Sequence, residues 1–430
     1  MSEAPAIALH SPADALSPAA RRWLRVGLVL AYLGFAFLIG LELRISQSDL
    51  TKFFWPAAEI AAHGHPLLIY SVRAGAYPNA NGPLSLLPLS LVALLANALG
   101  IGGNPALYTA LTVTAFSGFT LLMAQEAVRI IERVRGRSAR PLLTYVTFLM
   151  ALPVLIALAC YGHVEEPLEL WLSLLGLRLV LSRHLVLAGV VMGLVLLTRT
   201  ATVAALLALI LIVVADRRLP SFARRLGRAS LMAVVALAVA ALGILPFYLA
   251  DRHDVVYSLV TYRGALPIAG GSPWVLLARG LPWAGLIQHA DTAVFALAAL
   301  ALAGFCLWRA RGRPLTPALA CGLLAIATLC VPLLAKTTWS YYMCDPYVFA
   351  AIWWLARTPG TPGGRRALIP LLLSLISLVL ATRGLRVPPP PIQVVEGMLS
   401  GVVIVVCLWL LIRTWLPGRG ATPAIGPDPA

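Results

Sequence analysis

The segment that decides the fold of this chain lies between its first two apolar stretches and begins RISQSDLTKFFWPAAEIAAHGHPLLIY, residues 44–70. It continues to Asn104 and is denser in polar and ionisable side chains than any other part of the chain. Residues 50–62 and 84–99 within it are amphipathic, and each is too short or too interrupted by polar residues to cross a bilayer, which takes about 20 apolar residues. We therefore predict a first outer loop over residues 44–104 that contains two helices lying along the membrane surface.

The composition of the chain excludes an ordinary soluble domain. Hydrophobic residues make up 60% of the 430-residue chain and charged residues 12%, whereas about a quarter of the residues in a soluble domain are charged. Repeated apolar runs of roughly 15–25 residues indicate helices that cross a membrane several times. The net charge of +16 would suit nucleic acid, but the basic residues lie between apolar runs, where they favour a cytoplasmic location. The lipid bilayer is therefore an expected partner and nucleic acid is not.

We predict an all-α fold, a polytopic transmembrane bundle of about twelve helices. The candidate spans are residues 24–43, 105–128, 142–160, 168–182, 185–198, 200–215, 229–250, 291–308, 315–335, 346–356, 367–382 and 396–415. With the N-terminus inside, most of the basic residues fall on the cytoplasmic side, as the positive-inside rule requires. Residues 1–22 and 417–430 are then cytoplasmic tails, the second of them disordered, and residues 23–416 form the membrane domain.

The same rule fixes two details of the chain path. A span at residues 84–99 would move the cluster Arg129–Arg140 to the outer side, so this stretch is predicted not to cross. One unbroken span over residues 185–215 would do the same to Arg217–Arg228. We therefore predict a break at Thr198–Thr200.

Asp49, a few residues beyond the first span, has two interpretations. Ser48 and Asp49 are both good N-caps for the helix predicted over residues 50–62. A carboxylate that is partly desolvated at the membrane boundary is also suited to act as a general base toward a hydroxyl group. Other acids of the predicted outer segments are candidates for the same catalytic role or for orienting a substrate, namely Glu59, Glu165 and Glu166.

Polar and aromatic residues of the outer segments favour either turns and span ends or the wall of a pocket for carbohydrate hydroxyls. They are His63, His65, Tyr77, Asn79, Asn81, His163, Tyr341 and Tyr342. The pair His63 and His65 has no obvious third ligand, whereas zinc sites in proteins use at least three protein ligands. We therefore expect neither a metal site nor a cofactor.

Basic residues on the outer side are few, which makes them candidates for binding an anion. Arg199 interrupts an apolar stretch, where a charge is costly and usually functional, and it is predicted either to hold a phosphate or to pair with an acid inside the bundle. Lys52 and Lys336 are the only lysines in the chain, and both fall on the outer side with Arg263. We expect the phosphate-binding residues among these four.

Several short motifs on this topology make the chain resemble the GT-C superfamily of membrane glycosyltransferases and, within it, glycosyltransferase family 87. The motifs are Ser48-Asp49-Leu50, residues 61–70, Asn81-Gly82-Pro83-Leu84, residues 161–166 and Tyr341-Tyr342. The resemblance covers the chain from about Trp23 to Trp415. Two features depart from the family pattern. A sequence of the type Tyr-x-x-Pro-Pro is replaced by residues 77–83, and a lysine often found in mid-chain is replaced by Arg199.

The resemblance implies a multi-pass enzyme of the inner (plasma) membrane with its active site on the extracytoplasmic face. In this superfamily the first outer loop holds the catalytic acid, and Asp49 matches its position. The implied reaction transfers a sugar (mannose, or another hexose or pentose) from a polyprenyl-phosphate donor to a glycolipid or glycan acceptor in cell-envelope biosynthesis. In-line attack would invert the anomeric centre of the donor.

Two other classes of protein remain open on the sequence. A transporter or flippase of a lipid-linked saccharide would be favoured by charges near mid-span or by an internal repeat. The chain has no detectable repeat, and Arg199 is its one debatable charge of that kind. A non-catalytic assembly protein would tolerate loss of the outer acids.

Overall fold

A computed structural model describes residues 17–43, 48–71, 77–136, 143–199, 202–216, 221–262, 316–356 and 390–415, together with isolated positions between 266 and 308 and residue 372. The helices are α1 (Pro18–Glu42), α2 (Trp55–Ala62), α3 (Pro83–Ala98), α4 (Pro105–Arg135), α5 (Leu143–Tyr161), α6 (Glu165–Leu181), α7 (Leu185–Leu196), α8 (Val203–Ala215), α9 (Phe222–Ala250), α10 (Arg252–Val256), α11 (Pro317–Leu334), α12 (Cys344–Leu355) and α13 (Pro390–Trp415). Short π-helical turns lie at Leu50–Phe54 and Tyr257–Thr261, and 3-10 turns at Pro66–Leu68 and Ser340–Met343. Two-residue strands β1 (Ala269–Gly270) and β2 (Thr337–Thr338) pair in parallel.

The prediction of an all-α bundle is confirmed over the described residues. Each predicted span coincides with a described helix, except 291–308 and 367–382, which lie outside the described residues apart from isolated positions. Within the part of the chain that the structure describes, four helices, α1, α4, α9 and α11, are long and apolar enough to cross a membrane. The chain is therefore a multi-pass membrane protein.

Three of the helices found at predicted spans have fewer than about 17 residues, the lower limit for a complete crossing. Helices α7, α8 and α12 have 12, 13 and 12 residues. At 1.5 Å per residue such helices reach roughly 18–20 Å, whereas the hydrocarbon core is about 30 Å thick. None of the three therefore covers the membrane by itself. The sequence could not show this, because the charge pattern indicates the side on which a loop lies and not the length of a helix. The count of twelve spans stays a prediction.

The outward faces of the long helices are apolar, the reverse of a soluble protein. Trp23 on α1 and Leu249 on α9 are 74% and 73% exposed. Further exposed leucine and valine side chains follow the same faces of these helices and of α13. Continuous exposed apolar surface of this kind marks contact with a membrane.

The two helices predicted in the first outer loop are present with slightly different bounds. The stretch 50–62 forms a π-helical turn followed by α2, and the stretch 84–99 forms α3, which has 16 residues. Helix α3 packs on α2, buries Leu86 and Ala93 and exposes Leu91. Its length of about 24 Å is less than the membrane thickness. The location of both helices at the membrane surface stays a prediction.

Close packing in the interior depends on small residues. Gly189 and Gly193 lie one turn apart on α7, and a Cβ at these positions would approach the carbonyl oxygens of Met232 and Ala236 on α9 to 2.7 and 2.6 Å. This glycine spacing lets membrane helices approach closely. Helix α7 therefore packs tightly on α9 near its C-terminal end, Leu196, and the chain is no longer helical at Thr198.

The predicted break between α7 and α8 is present, and the first outer loop packs onto it. The backbone N–H groups of Gly82 and Leu84 donate to the carbonyl oxygens of Thr198 and Leu197, each at 3.0 Å. A Cβ at Gly82 would overlap the carbonyl group of Leu197, so this approach requires glycine. The start of α3 is thereby held against the turn that carries Arg199.

Candidate active site

Asp49 is bound to a histidine 114 positions away in the sequence. Its Oδ2 lies 2.9 Å from Nε2 of His163, and the two side chains are 34% and 5% exposed respectively. Asp49 makes no capping hydrogen bond to the helical turn that follows it. Ser48 accepts the Thr51 N–H instead, at 3.4 Å. The interpretation of Asp49 as a helix cap is therefore wrong, and its carboxylate is engaged on one oxygen by an imidazole.

His163 bridges two carboxylates, because its Nδ1 lies 2.5 Å from Oε1 of Glu165. Burial disfavours the charged ring, but Glu165 and then Asp49 more than offset this effect and raise the pKa of His163 to about 10. The imidazolium therefore donates from both ring nitrogens at neutral pH. His163 thus contacts Asp49 through one ring nitrogen and Glu165 through the other, and its role in a sugar pocket stays a prediction.

The buried carboxylate of Glu165 is held in turn by the first outer loop. Nδ2 of Asn81 donates to Oε1 of Glu165 at 3.0 Å. The backbone N–H of Asn81 donates to Oδ1 of Asn79 at 3.1 Å, and the Tyr70 hydroxyl donates to the Asn81 carbonyl at 2.9 Å. The Asn79–Asn81 motif is thus a turn that also carries a side chain of the site, so the sequence pattern alone could not separate its two roles.

A glycine allows His163 to reach Asp49. Gly162, in the turn after α5, has a φ of +73°, in the left-handed region that glycine adopts at no steric cost. A Cβ at this position would overlap the side chain of Leu50 and lie 2.8 Å from its backbone nitrogen. Because Gly162 precedes His163 and Leu50 follows Asp49, this close backbone contact brings the two side chains together.

Aromatic rings surround the imidazolium. The ring of Tyr341 stacks on that of His163 with centroids 3.4 Å apart, and Phe54 presents an edge-to-face contact at 5.9 Å. The guanidinium of Arg199 lies 5.6 Å from the Tyr341 ring and 4.7 Å from that of Tyr342. The Tyr341 ring therefore lies between the imidazole of His163 and the guanidinium of Arg199, and the Tyr342 ring makes a second cation–π contact with the guanidinium.

Arg199 pairs with an acid inside the bundle, which is the second of its two predicted roles. Its Nη1 donates to Oε1 of Glu166, and the side chains are 4% and 0% exposed. The guanidinium carries five N–H donors, so one hydrogen bond does not exhaust them. Glu166, which was predicted as a catalytic acid, is bound to this cation and closed to solvent.

A cavity of about 400 Å³ opens beside α2, within the size range of small-molecule sites. Five predicted residues line it, together with Phe53 and Ser71: Glu59, His63, His65, Tyr77 and Asn79. Nε1 of Trp55 donates to Oε1 of Glu59 at 3.1 Å and orients that carboxylate. The ammonium group of Lys52 lies 5.4 Å from the Tyr77 ring, so one of the predicted anion-binding residues lies close to this cavity.

Less can be said of the other two predicted phosphate-binding residues, Lys336 and Arg263. Lys336 is buried, immediately before β2. Arg263 lies outside the described residues.

Two acids that sequence reasoning did not select lie beside the site. Glu169 is fully buried on α6, and Asp345 stands in the first turn of α12. One carboxylate oxygen from each of Glu166, Glu169 and Asp345 lies within 4.8 Å of the others. The three-residue spacing of Glu166 and Glu169, which puts both on one helix face, was the available signal. Their approach to Asp345 depends on the fold.

Comparison with known proteins gives similarity in structure only. No family model matches the chain, and no curated protein matches it in sequence, so membership of glycosyltransferase family 87 stays a prediction. The chain is similar to the crystal structure of ArnT from Cupriavidus metallidurans in the apo state, at 17% identity and a TM-score of 0.48, over 92% of this chain and 78% of that one.

The crystal structure of ArnT from Cupriavidus metallidurans bound to undecaprenyl phosphate is similar at 16% identity and a TM-score of 0.42, over 90% of this chain and 77% of that one. Since one fold can carry many chemistries, what this chain does follows from its own side chains.

Proposed function

We propose that this chain is a membrane glycosyltransferase of the GT-C type, which transfers a sugar from a polyprenyl-phosphate donor to an acceptor hydroxyl. The observation that carries the proposal is the carboxylate of Asp49. It is one-third exposed and bound on one oxygen by a buried imidazolium. It also begins the same loop segment that lines a cavity of about 400 Å³.

Asp49 is the proposed general base. His163 holds Oδ2, and the second oxygen takes the proton of the acceptor hydroxyl as the hydroxyl oxygen attacks the anomeric carbon. The bond from the anomeric carbon to the donor phosphate oxygen breaks in the same step, and the lipid phosphate leaves with the electron pair. A positioned general base contributes about 10²–10⁴-fold to a rate. Attack from the side opposite the leaving group inverts the anomeric centre.

His163, Glu165 and Asn81 are proposed as positioning residues and not as catalytic ones. Glu165 orients the imidazolium of His163. In catalytic triads a third side chain orients the histidine base in the same way. Asn81 fixes Glu165 through the hydrogen bond of 3.0 Å. The carboxylate of Asp49 therefore gains its direction from residues on two segments, the turn at the start of α6 and the first outer loop.

The cavity beside α2 is the proposed acceptor site. Its carboxylate, imidazole, hydroxyl and amide groups, from Glu59, His63, Tyr77 and Asn79, suit the hydroxyls of a sugar, and Phe53 offers a ring on which a sugar can stack. The acceptor class is a glycolipid or glycan. The transferred sugar is mannose or another hexose or pentose.

Arg199, with Lys336 and Arg263, is the proposed site for the donor phosphate. The Arg199 guanidinium lies 5.6 Å from the ring of Tyr341, which stacks on His163, so a buried cation lies one ring away from the imidazole that holds the proposed base. Guanidinium groups bind phosphate oxygens through paired N–H donors. Lys52, at the cavity beside α2, is a further candidate. The proposed site faces the extracytoplasmic side of the inner membrane.

Transfer by the purified full chain tests the proposal. Wild type and Asp49→Asn are incubated with labelled polyprenyl-phosphate hexoses and pentoses and with extracted envelope lipids as acceptors. We expect label to move to acceptor lipid with wild type and not with Asp49→Asn. Asp216→Asn, which changes an acid paired with Arg183 at the far end of α8, is the control and should transfer normally. Movement of donor lipid across vesicle membranes without transfer would contradict the proposal and favour a flippase.

A further inference from the structure

We propose that Glu166, Glu169 and Asp345 bind one hard divalent cation of the size of Ca²⁺ or Mn²⁺. This site is separate from the Asp49–His163 pair, and it goes beyond the proposed transfer reaction. It also departs from the sequence-based expectation, which weighed only the histidine pair of the first outer loop as a metal site.

The geometry of the three carboxylates permits one shared ion. One oxygen from each residue lies within 4.8 Å of the other two. Oxygens on opposite sides of a Ca²⁺ ion are separated by about 4.6–5.2 Å, twice the usual metal–oxygen distance, and oxygens on adjacent sides lie closer. An ion between the three groups can therefore reach all of them without a change in the backbone.

The carboxylates also present oxygens that lack a protein donor. Oε2 of Glu166, Oε2 of Glu169 and Oδ1 of Asp345 are buried and receive no hydrogen bond from a donor in the described part of the chain, and the carboxyl groups of Glu169 and Asp345 lie close enough to share a proton. The other oxygens of the two glutamates accept from Arg199 and from the Ser173 hydroxyl, the latter at 2.9 Å. Buried polar atoms in folded proteins nearly always have a partner, and three unpartnered acceptors in one cluster indicate a missing donor or cation.

The side chains around the cluster favour a divalent cation. Four acids meet here in the described part of the chain, namely Glu165, Glu166, Glu169 and Asp345. They outnumber the two basic side chains that face them, His163 beside Glu165 and Arg199 beside Glu166. Donor sets made only of carboxylate oxygens suit Mg²⁺, Ca²⁺ and Mn²⁺ rather than copper or zinc. The competing arrangement is a proton shared between Glu169 and Asp345, with no ion.

Equilibrium binding of Mn²⁺ to the purified full chain distinguishes the two arrangements. The protein in detergent is stripped with EDTA, exchanged into chelator-free buffer and titrated with MnCl₂, and free Mn²⁺ is measured by its paramagnetic resonance signal. We expect one Mn²⁺ per chain, displaced by Ca²⁺. We expect at least tenfold weaker binding by Glu169→Gln and by Asp345→Asn, each of which keeps its shape, and unchanged binding by the control Asp216→Asn.

Absence of stoichiometric Mn²⁺ on the wild type would overturn the inference and favour the shared proton. Wild-type affinity in either variant that remains monodisperse on gel filtration would overturn it too. If a variant aggregates, the wild-type stoichiometry and the competition with Ca²⁺ still decide. The readout is binding, so its outcome does not depend on whether the chain transfers sugar.

Discussion

Two groups of carboxylates lie side by side at the start of α6, and they differ in access and in partners. Glu165 belongs to the first group, where His163 links it to the partly exposed Asp49. Glu166 belongs to the second, where Arg199 is its partner and Glu169 lies nearby, all closed to solvent. Adjacent residues in the sequence thus contribute to sites with different chemistry.

The difference shows what decides the use of an acid in this protein. A substrate hydroxyl can reach only a carboxylate that keeps exposed surface, and Asp49 keeps 34% of it. In the second group Glu166 and Glu169 are fully buried and Asp345 is partly exposed, so only something as small as a metal ion or a proton can reach the two glutamates. Burial and partner, rather than the type of residue, therefore separate a proposed base from a proposed ion site.

The largest effect is expected for Asp49→Asn. This change removes the exposed carboxylate of the first group and should lower the rate of sugar transfer by about 10²–10⁴-fold, the contribution of a general base. The Tm should fall only slightly, since Asp49 caps no helix, the amide oxygen can still accept from His163, and Glu165 remains as the second partner of the ring. Transfer assays and thermal unfolding check the two parts. A matched change, Glu59→Gln, should reduce transfer less. Transfer by Asp49→Asn at the wild-type rate would contradict the assignment of Asp49 as the general base.

Gly162→Ala should separate the two groups by disturbing only the first. A residue with a side chain at φ +73° costs about 1–2 kcal/mol, and the overlap with Leu50 adds about 1–3 kcal/mol. The free energy of unfolding, measured by denaturant titration, should fall by about 2–5 kcal/mol, with loss of transfer. Gly227→Ala on α9, where a Cβ meets nothing within 4 Å, is the control. A Gly162→Ala variant as stable as that control would show that the contact is not needed.

His163→Gln tests the first group alone, because it removes the cation that lies between Asp49 and Glu165. A residue that orients a reactive group typically contributes about 10–100-fold to activity, so transfer should fall within that range. Stability should fall as well, because Glu165 is left buried without its charged partner. The double change His163→Gln with Glu165→Gln should recover part of the Tm. If the double variant unfolds at the same temperature as the single one, Glu165 does not depend on the imidazolium.

The smallest expected effect is a dependence of stability on pH. The pKa of His163 is about 10 in the folded chain and about 6.5 for an unperturbed histidine. Because the folded value is the higher one, the contribution of the charged ring is complete below about pH 6.5 and is lost as the pH rises through about 10. The Tm of wild type should therefore decline more steeply over this window than that of His163→Gln. Parallel declines would show that the ring is uncharged in the folded protein.

Much of the fold could be predicted from the sequence. The period of the apolar runs located the helices, and the positive-inside rule predicted the break after Thr198. The lengths of α7 and α8 could not be predicted, because a loop's charge sets its side of the membrane and says nothing of helix length. Residues 291–308 and 367–382 were predicted as spans and stay predictions.

The site was less accessible to sequence reasoning. Asp49 and His163 were both selected, but their contact depends on Gly162 lying against Leu50, which no local pattern encodes. Arg199 was correctly predicted to have an acid or a phosphate as partner, and only the fold brings Glu166 to it. Asp345 was not selected, because no local pattern indicates that the fold brings it to Glu166 and Glu169.

The anomeric configuration of the product tests the central claim most directly. The purified chain is given a polyprenyl-phosphate sugar of known anomeric configuration, and the product is examined by nuclear magnetic resonance. A single displacement with Asp49 as base predicts a product with the opposite configuration, formed by wild type and not by Asp49→Asn. A product that retains the donor configuration, or one formed equally well by Asp49→Asn, would contradict the account.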